Sequence, residues 1–449
     1  MFTDVTYQDF LAAPDRDAFL LAAVERYRAS RDFTRALEAG EYFRGSNSAV
    51  ARKTILRARK IETRDASGRK RIRSSTEDVV GNRIGSGFLF RFITQQNQFL
   101  LSGGCILSDN GTKARLGADF DHQLALLGER ALIHGVSWGF WNADHLEIVE
   151  AARDQRSGFF ALMDELTDQP MVGVQFWQLS AEKPMYLRLF EMDGLTLFRW
   201  EKNVFVPLQP KRPYVITLRR DALGEEILST CNYSSLPVIP LYANTERQSE
   251  LTPAIKAKID AYDNILSDFA DNLDRANDVY WVLNNFGGTS DDIAQMLEEI
   301  QRIKAVANLS DGSGAASTAE PHTIEVPYAA RQAALDILER ALYQDFMALN
   351  LDALTGSSLT NVAIRAATAN LHLKADRYEW QVFRFVQQLL SLLGVTTEEI
   401  RFQRQCIANE SEIVADIAAM RPDIDRRTAL KLNPYIQPEE IDALAGQEG

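Results

Sequence analysis

The residues with most chemical potential are carboxylates. Asp260, Asp263, Asp268, Asp271, Asp274, Asp278, Asp291 and Asp292 follow one another with a single basic interruption, Arg275. Such a row can solvate a helix face or repel an anion, and its spacing alone does not choose between these. The histidines, His122, His134, His145, His322 and His372, are isolated from one another, and no HExxH, GxSxG or zinc spacing is present. The chain also lacks a GxxxxGK[ST] loop, so ATP hydrolysis is not expected of it. Cys105, Cys231 and Cys406 are far apart with no CxxC, which predicts reduced core residues and neither a disulfide scaffold nor a zinc site. No cofactor is predicted.

Cations cluster elsewhere. Between Arg44 and Arg73 stand Arg52, Lys53, Arg57, Arg59, Lys60, Arg69, Lys70 and Arg71, with no aromatic residue among them. Single-strand binders interleave stacking platforms with charge, so a solvated surface or a contact with an acidic protein is the favoured reading. Gly81-Asn-Arg-Ile-Gly-Ser-Gly87 is glycine-rich without the GxGxxG spacing and reads as flexibility at a helix start. The net charge of −13 and pI near 5.1 speak against tight phosphate binding by the whole chain.

The elements that must position these residues are legible from periodicity. With 449 residues, two or more domains are expected. Helices are predicted to about residue 43, with Phe19, Leu20, Ala23 and Val24 on one face of the second, and again from Asp78 to Leu101. From about Ala131 to Tyr242 short apolar runs broken by turn signals such as Asp193-Gly194 predict antiparallel sheet. The fold class is α+β. The N-terminus does not read as a signal peptide, and no stretch approaches the apolar length of a membrane helix, so no membrane partner is predicted.

After Thr252, apolar or small residues fall at Ile255, Ile259, Tyr262, Leu266, Phe269, Leu273, Ala276, Tyr280 and Leu283, alternating by four and three. A helix from Pro253 to Asn285 would be about 50 Å long at 1.5 Å per residue. Its heptad row reads as a seam against another helix, or as the core side of one long helix. A short helix (Asp291 to Lys304) follows, then a Gly/Ser loop at 310–318, with Ala305-Val-Ala307 and Thr323-Ile-Glu-Val326 as a candidate hairpin. Pro327 opens a second helix with Ala334, Ile337, Leu338, Ala341, Leu342 and Phe346 inward. Residues 351–359 break the pattern. Thr360 starts a third long helix, stopped by Gly394, with a row through Ile364, Ala367, Leu371, Tyr378, Val382, Phe385, Leu389 and Leu392 that Lys374 interrupts. A strand at Ile400 to Phe402 and small helices, one from Glu410 to Met420, complete the chain.

Two long helices flanking a compact insertion, then a Gly/Ser loop and a third long helix, form an uncommon order. With Asn244-Thr-Glu-Arg-Gln-Ser-Glu-Leu251, Ile259-Asp-Ala-Tyr-Asp263, Tyr280-Trp-Val-Leu283, Phe286-Gly-Gly288 and the tail's Ile400-Arg-Phe-Gln-Arg404 and Asn409-Glu-Ser-Glu412, it resembles the Gp6-like portal proteins of long-tailed bacteriophages. Asn82-Arg-Ile84, before Gly103-Gly104, resembles the segment leading into their wing. Cys406-Ile407-Ala408 departs from a frequent proline, and the sheet region matches by position alone.

The resemblance implies a portal fold with a helical stem, a small α/β clip, a β-containing wing and a helical C-terminal crown. On this chain these become residues 1–130 (helical part of the wing), 131–250 (β-rich wing), 251–288 (first stem helix), 289–325 (clip), 326–350 (second stem helix), 351–359 (tunnel loop), 360–394 (tunnel helix) and 395–449 (crown). It further implies a ring of about twelve copies at the capsid vertex of the virion, assembled in the host cytoplasm. That ring would conduct double-stranded DNA without sequence specificity and dock the terminase large subunit, head-completion and adaptor proteins, and capsid and scaffolding proteins. Asp352, Leu354, Thr355, Gly356, Ser357 and Ser358 become the tunnel loop. Arg365, Lys374 and Arg377 become DNA or intersubunit contacts, the latter with Asp376 or Glu379 of a neighbour. Acidic walls would let DNA slide. Outside the resemblance, a coiled-coil scaffold and a nucleic-acid-processing enzyme remain as alternatives.

Overall fold

In the computed structural model the described residues are 4–64, 70–202, 204–221, 224–276, 280–284, 318–322, 328–350, 360–395, 399–404, 409–422, 424–436, 441 and 445. They fall into two compact units: Met1–Arg44, Gly87–Ile255 and Tyr343–Gly449 in the first, Gly45–Ser86 and Lys256–Leu342 in the second.

The first unit begins with α1 (Tyr7–Ala12), α2 (Arg16–Ala29) and α3 (Arg31–Phe43). Polar caps set their starts. Thr6 and Asp9 form a capping box, Asp15 accepts from the amides of residues 17 and 18, and Ser30 ends α2 and caps α3. Leu20, Ala23, Val24 and Tyr27 are the buried face of α2. Helices α5 (Phe88–Leu101), α6 (Asn110–Arg115) and α7 (Phe120–His134) follow, with β3 (Cys105–Leu107) between the first two. Gly135, at φ 90°, ends α7 in the left-handed conformation that glycine adopts without strain.

The predicted sheet region is antiparallel. It comprises β4 (Val136–Asn142), β5 (His145–Glu150), β6 (Ala152–Asp154), β7 (Ser157–Met163), β8 (Pro170–Trp177), β9 (Tyr186–Glu191), β10 (Gly194–Glu201), β11 (Val204–Pro207), β12 (Val215–Asp221), β13 (Gly224–Cys231) and β14 (Val238–Tyr242). Strands β6 to β11 form one meander in sequence order, β14, β4 and β5 form a second sheet, and β12 pairs with β13. The turn at Asp193-Gly194 joins β9 to β10, with Glu191 opposite Gly194. Tyr27, Phe33, Trp138, Phe140, Phe159, Phe160 and Phe190 belong to one buried cluster that joins the N-terminal helices to the sheets. Aromatic rings of this size dominate burial energetics, so this cluster anchors the unit.

The second unit holds α4 (Ser48–Ala51), the hairpin of β1 (Thr54–Arg64) and β2 (Lys70–Val80), most of α8 (Pro253–Ala276), the paired strands β15 (Tyr280–Asn284) and β16 (Thr318–His322), and most of α9 (Tyr328–Phe346). The chain closes in the first unit with α10 (Asn361–Leu392), β17 (Ile400–Phe402), α11 (Glu410–Met420) and α12 (Arg426–Leu432). Strand β17 pairs with β3.

Several expectations change. The helix expected through Asn285 ends at Ala276, and Tyr280 and Leu283 lie on β15, where Tyr280 pairs with His322 and Leu283 with Ala319. Their heptad spacing was coincidental, because Tyr-Trp-Val-Leu is an aromatic and β-branched run of the kind strands favour. The candidate hairpin between 305–307 and 323–326 and the helix from 291 lie outside the described residues. The helix expected from Asp78 begins only at Phe88. Val79 and Val80 complete β2, and three glycines within Gly81–Gly87 disfavour helix. On α9 the buried residues are Leu335, Leu342 and Phe346, while Ile337 is exposed. Cys105 is buried as expected, but Cys231 is exposed, and Cys406 is outside the described residues.

Candidate functional site

Helix α8 carries the acidic row as far as Asp274, and its buried positions, among the described residues, leave the heptad after Ile259. They are Ile255, Ile259, Asp263, Ser267 and Asp271, four residues apart throughout. The three polar members meet the extended segment 82–86. The Asn82 amide donates to Asp271 Oδ1 at 2.7 Å, the Ile84 amide to Ser267 Oγ at 3.1 Å and the Ser86 amide to Asp263 Oδ1 at 2.9 Å. Asn82 Nδ2 also reaches Asp271 Oδ1 at 2.9 Å, and Asn47 Nδ2 donates to the other Asp263 oxygen.

The register has a simple origin. Four residues of helix rise about 6.0 Å, and two residues of extended chain rise about 6.6 Å. Acceptors at i, i+4 and i+8 therefore face alternate amides of a strand running the opposite way. Segment 81–87, read from sequence as flexible, is thus held along α8 through the amides of Asn82, Ile84 and Ser86. A Cβ on Gly85 would overlap the carbonyl oxygen of Gly45, so the close approach requires glycine there. Burial pushes the Asp263 carboxyl above its ordinary pKa, against the lowering effect of the Asn47 and Ser86 hydrogen bonds.

Lys53, from the basic run, ties in the same face. Its Nζ lies 2.6 Å from Asp268 and 3.7 Å from Asp271, and it donates to the Asn264 carbonyl at 3.4 Å. Asp260 pairs with Lys256 at 2.7 Å. The described carboxylates from 260 to 271 are therefore neutralised or hydrogen-bonded within the chain, which leaves less of the row for a channel wall than the sequence suggested. Of the predicted seam, Ile255 and Ile259 are buried, Tyr262, Leu266 and Phe269 are half-buried, and Leu273 is 49% exposed. The Phe269 ring sits 5.7 Å from that of Tyr328.

Helix α10 behaves as its periodicity demands. Thr360 caps it, accepting from the Ala363 amide, and the chain leaves through Gly394 at φ 76°. Ile364, Leu371, Tyr378, Val382, Phe385, Leu389 and Leu392 are all buried. Lys374, predicted as a DNA or intersubunit contact, points inward instead. Its ammonium is 2.8 Å from Glu250, donates to the Phe346 carbonyl at 2.9 Å and lies 3.0 Å from the Phe346 ring centroid. Burial lowers its pKa, and Glu250 opposes that shift. The partners foreseen from a neighbour are likewise occupied, since Arg404 of this chain pairs with Asp376 at 2.6 Å and with Glu379. Arg365 and Arg377 remain exposed, Arg377 lying 3.7 Å from Glu246.

Asp352, Leu354, Thr355, Gly356, Ser357 and Ser358 lie outside the described residues. Their flanks are fixed. Gln95 clamps the backbone of Leu349, donating to its carbonyl at 3.1 Å and accepting from its amide at 2.9 Å. On the far side the Asn361 amide donates to Glu412 at 2.6 Å, and the Asn409 amide to Asn361 Oδ1 at 2.8 Å. Sequence reasoning missed Gln95 altogether. Asn409 and Glu412 had a signal, the N-cap pattern at the start of α11.

Among the described residues no cluster of His, Cys, Asp and Glu is arranged to hold a metal ion, and no helix is long and apolar enough to cross a membrane. The family model "Phage portal protein, SPP1 Gp6-like" matches residues 24–448. The portal protein of Clostridium phage phiCD119 is 29% identical over 234 residues, covering 50% of this chain and 51% of the relative. That of Bacillus phage SPP1 is 28% identical over 225 residues, covering 46% of this chain and 43% of the relative. The chain thus spans about half the length of the curated relatives it matches. Because the family match runs almost from end to end and includes both long helices just described, the chain belongs to the SPP1 Gp6-like phage portal protein family.

Proposed function

We propose that this protein is the subunit of a ring at the capsid vertex that conducts double-stranded DNA inward during packaging and outward during ejection. The family match over residues 24–448 carries the reading. Helix α8 and the residues after it would form the stem and clip, 351–359 the tunnel loop and α10 the helix behind it, with the sheet region as wing and the tail as crown. The clamps at Leu349 and Asn361 support the tunnel-loop assignment, because they fix both ends of the segment that would touch DNA. Half-exposed heptad residues of α8, Leu273 above all, supply apolar surface that a neighbouring subunit would cover.

The chain has no phosphate loop, so energy for packaging would come from a terminase docked on the clip. Head-completion and adaptor proteins would take that place later, and scaffolding and capsid proteins would surround the wing. Negative-stain microscopy of the purified protein tests the reading. Rings with a central hole wide enough to pass a duplex are expected. Discrete dimers or trimers at all concentrations would refute it in favour of a coiled-coil scaffold.

A further inference from the structure

Helix α10 has a second face, opposite the buried row, and three large apolar side chains on it stay exposed among the described residues. Val362 is 74% exposed, Leu373 57% and Trp380 64%. They are eleven and seven residues apart, close to three and two helical turns, so they share one side. Trp380 borders a recess of about 400 Å³ lined also by Arg377, Arg384, Gln381, Asn244 and Thr245. Arg377 and Arg384 flank the indole at i−3 and i+4. Arg384 has no ion pair among the described residues, and the Arg377–Glu246 separation of 3.7 Å joins two exposed groups. Gln381, beside them, is buried.

We propose that this face is a docking surface for a second copy of the chain, which seats a carboxylate between Arg377 and Arg384 against Trp380. The proposal rests on the ring reading above and names the contact through which neighbours engage. Three observations select this occupant. Phosphates of a duplex would use the two guanidinium groups but have no use for Val362 and Leu373. A small apolar ligand would leave both arginines unpaired. A protein segment with a carboxylate beside apolar side chains uses every group, and a further copy, with 62 acidic against 49 basic residues, presents such carboxylates. Tryptophan and arginine are also the residue types on which binding energy concentrates at interfaces.

The test uses the full chain with photoreactive benzoylphenylalanine in place of Trp380, irradiated after assembly, and sedimentation of Arg377→Glu/Arg384→Glu beside Arg377→Lys/Arg384→Lys. Expected are cross-links from position 380 to an Asp- or Glu-containing peptide of another copy. The charge reversal should raise the concentration needed for assembly tenfold or more, and the lysine pair should assemble nearly as wild type. Both arginines are exposed, so the unassembled reversal variant should keep the wild-type circular dichroism and melting temperature, which separates assembly from folding. Wild-type rings with no such cross-link and with a fully assembling reversal variant would overturn this inference while leaving the ring standing. Cross-linking to added duplex instead of protein would also overturn it. Wild-type protein that never associates would overturn both readings.

Discussion

Helices α8 and α10 place charge and apolar surface in opposite ways. Along α10 the apolar row is buried and the cations are outside, Lys374 excepted. Along α8 the buried stripe passes from Ile255 and Ile259 to Asp263, Ser267 and Asp271, and the heptad residues beside it are half-exposed. The difference lies in what each helix packs against. The buried side of α10 meets side chains, for which apolar spacing is the right code. The stretch of α8 from Asp263 to Asp271 meets backbone, whose alternate amides need acceptors every fourth helical residue.

The comparison can be broken in order of expected effect. Lys374→Met should remove the one cation that α10 buries and leave Glu250 without its ion pair, a loss of about 3–5 kcal/mol. Adding Glu250→Gln should recover much of it in urea unfolding. If the single change is harmless, Lys374 is not tied to Glu250 in solution. Asp263→Leu should cost about 3 kcal/mol by orphaning the Ser86 amide and Asn47. Asp268→Leu, whose partner Lys53 meets it at a half-exposed site, should cost less than about 1 kcal/mol. Equal losses at the two positions would contradict the buried comb.

Asp263 also gives a pH signature. Its folded pKa is raised by burial, so the folded state binds the proton more tightly than the unfolded chain. Its contribution therefore grows as pH falls from the folded pKa towards the ordinary carboxyl value, and declines as pH rises. Asp263→Asn should flatten that slope, and melting curves from pH 7 to pH 4 would reveal it. An unchanged slope would mean that Asp263 is solvated.

Gly85→Ala should cost about 2 kcal/mol, because the added methyl meets the Gly45 carbonyl and one backbone must shift. At the small end, Trp380→Ala should change the stability of an unassembled subunit by less than about 0.5 kcal/mol. A larger loss would place the indole inside the subunit.

These contrasts explain what was legible in the sequence. Thr360 and Gly394 bracket α10 because a cap and a left-handed glycine are local signals, and its row was read correctly because side chains pack against it. The antiparallel region was visible from its turns, and β17 and α11 from composition. The clasp on segment 82–86 was not, since a carboxylate bound to a distant amide looks the same in sequence as a solvated one. Gly85 read as flexibility because the reason for it, the carbonyl of Gly45, lies forty residues away. Lys374 looked like an interruption because Glu250 and Phe346 come from other parts of the chain. At Tyr280 and Leu283 two periodic matches hid a five-residue strand.

The central claim, that α8 directs Asp263, Ser267 and Asp271 onto backbone amides, has a direct measurement in residue-resolved amide exchange across 81–87. An irregular glycine-rich segment should exchange rapidly at every position. The clasp predicts alternation, with the amides of Asn82, Ile84 and Ser86 slowed by at least tenfold relative to those of Arg83 and Gly85, and with the pattern lost in Asp263→Leu. Uniformly fast exchange across the segment would contradict it.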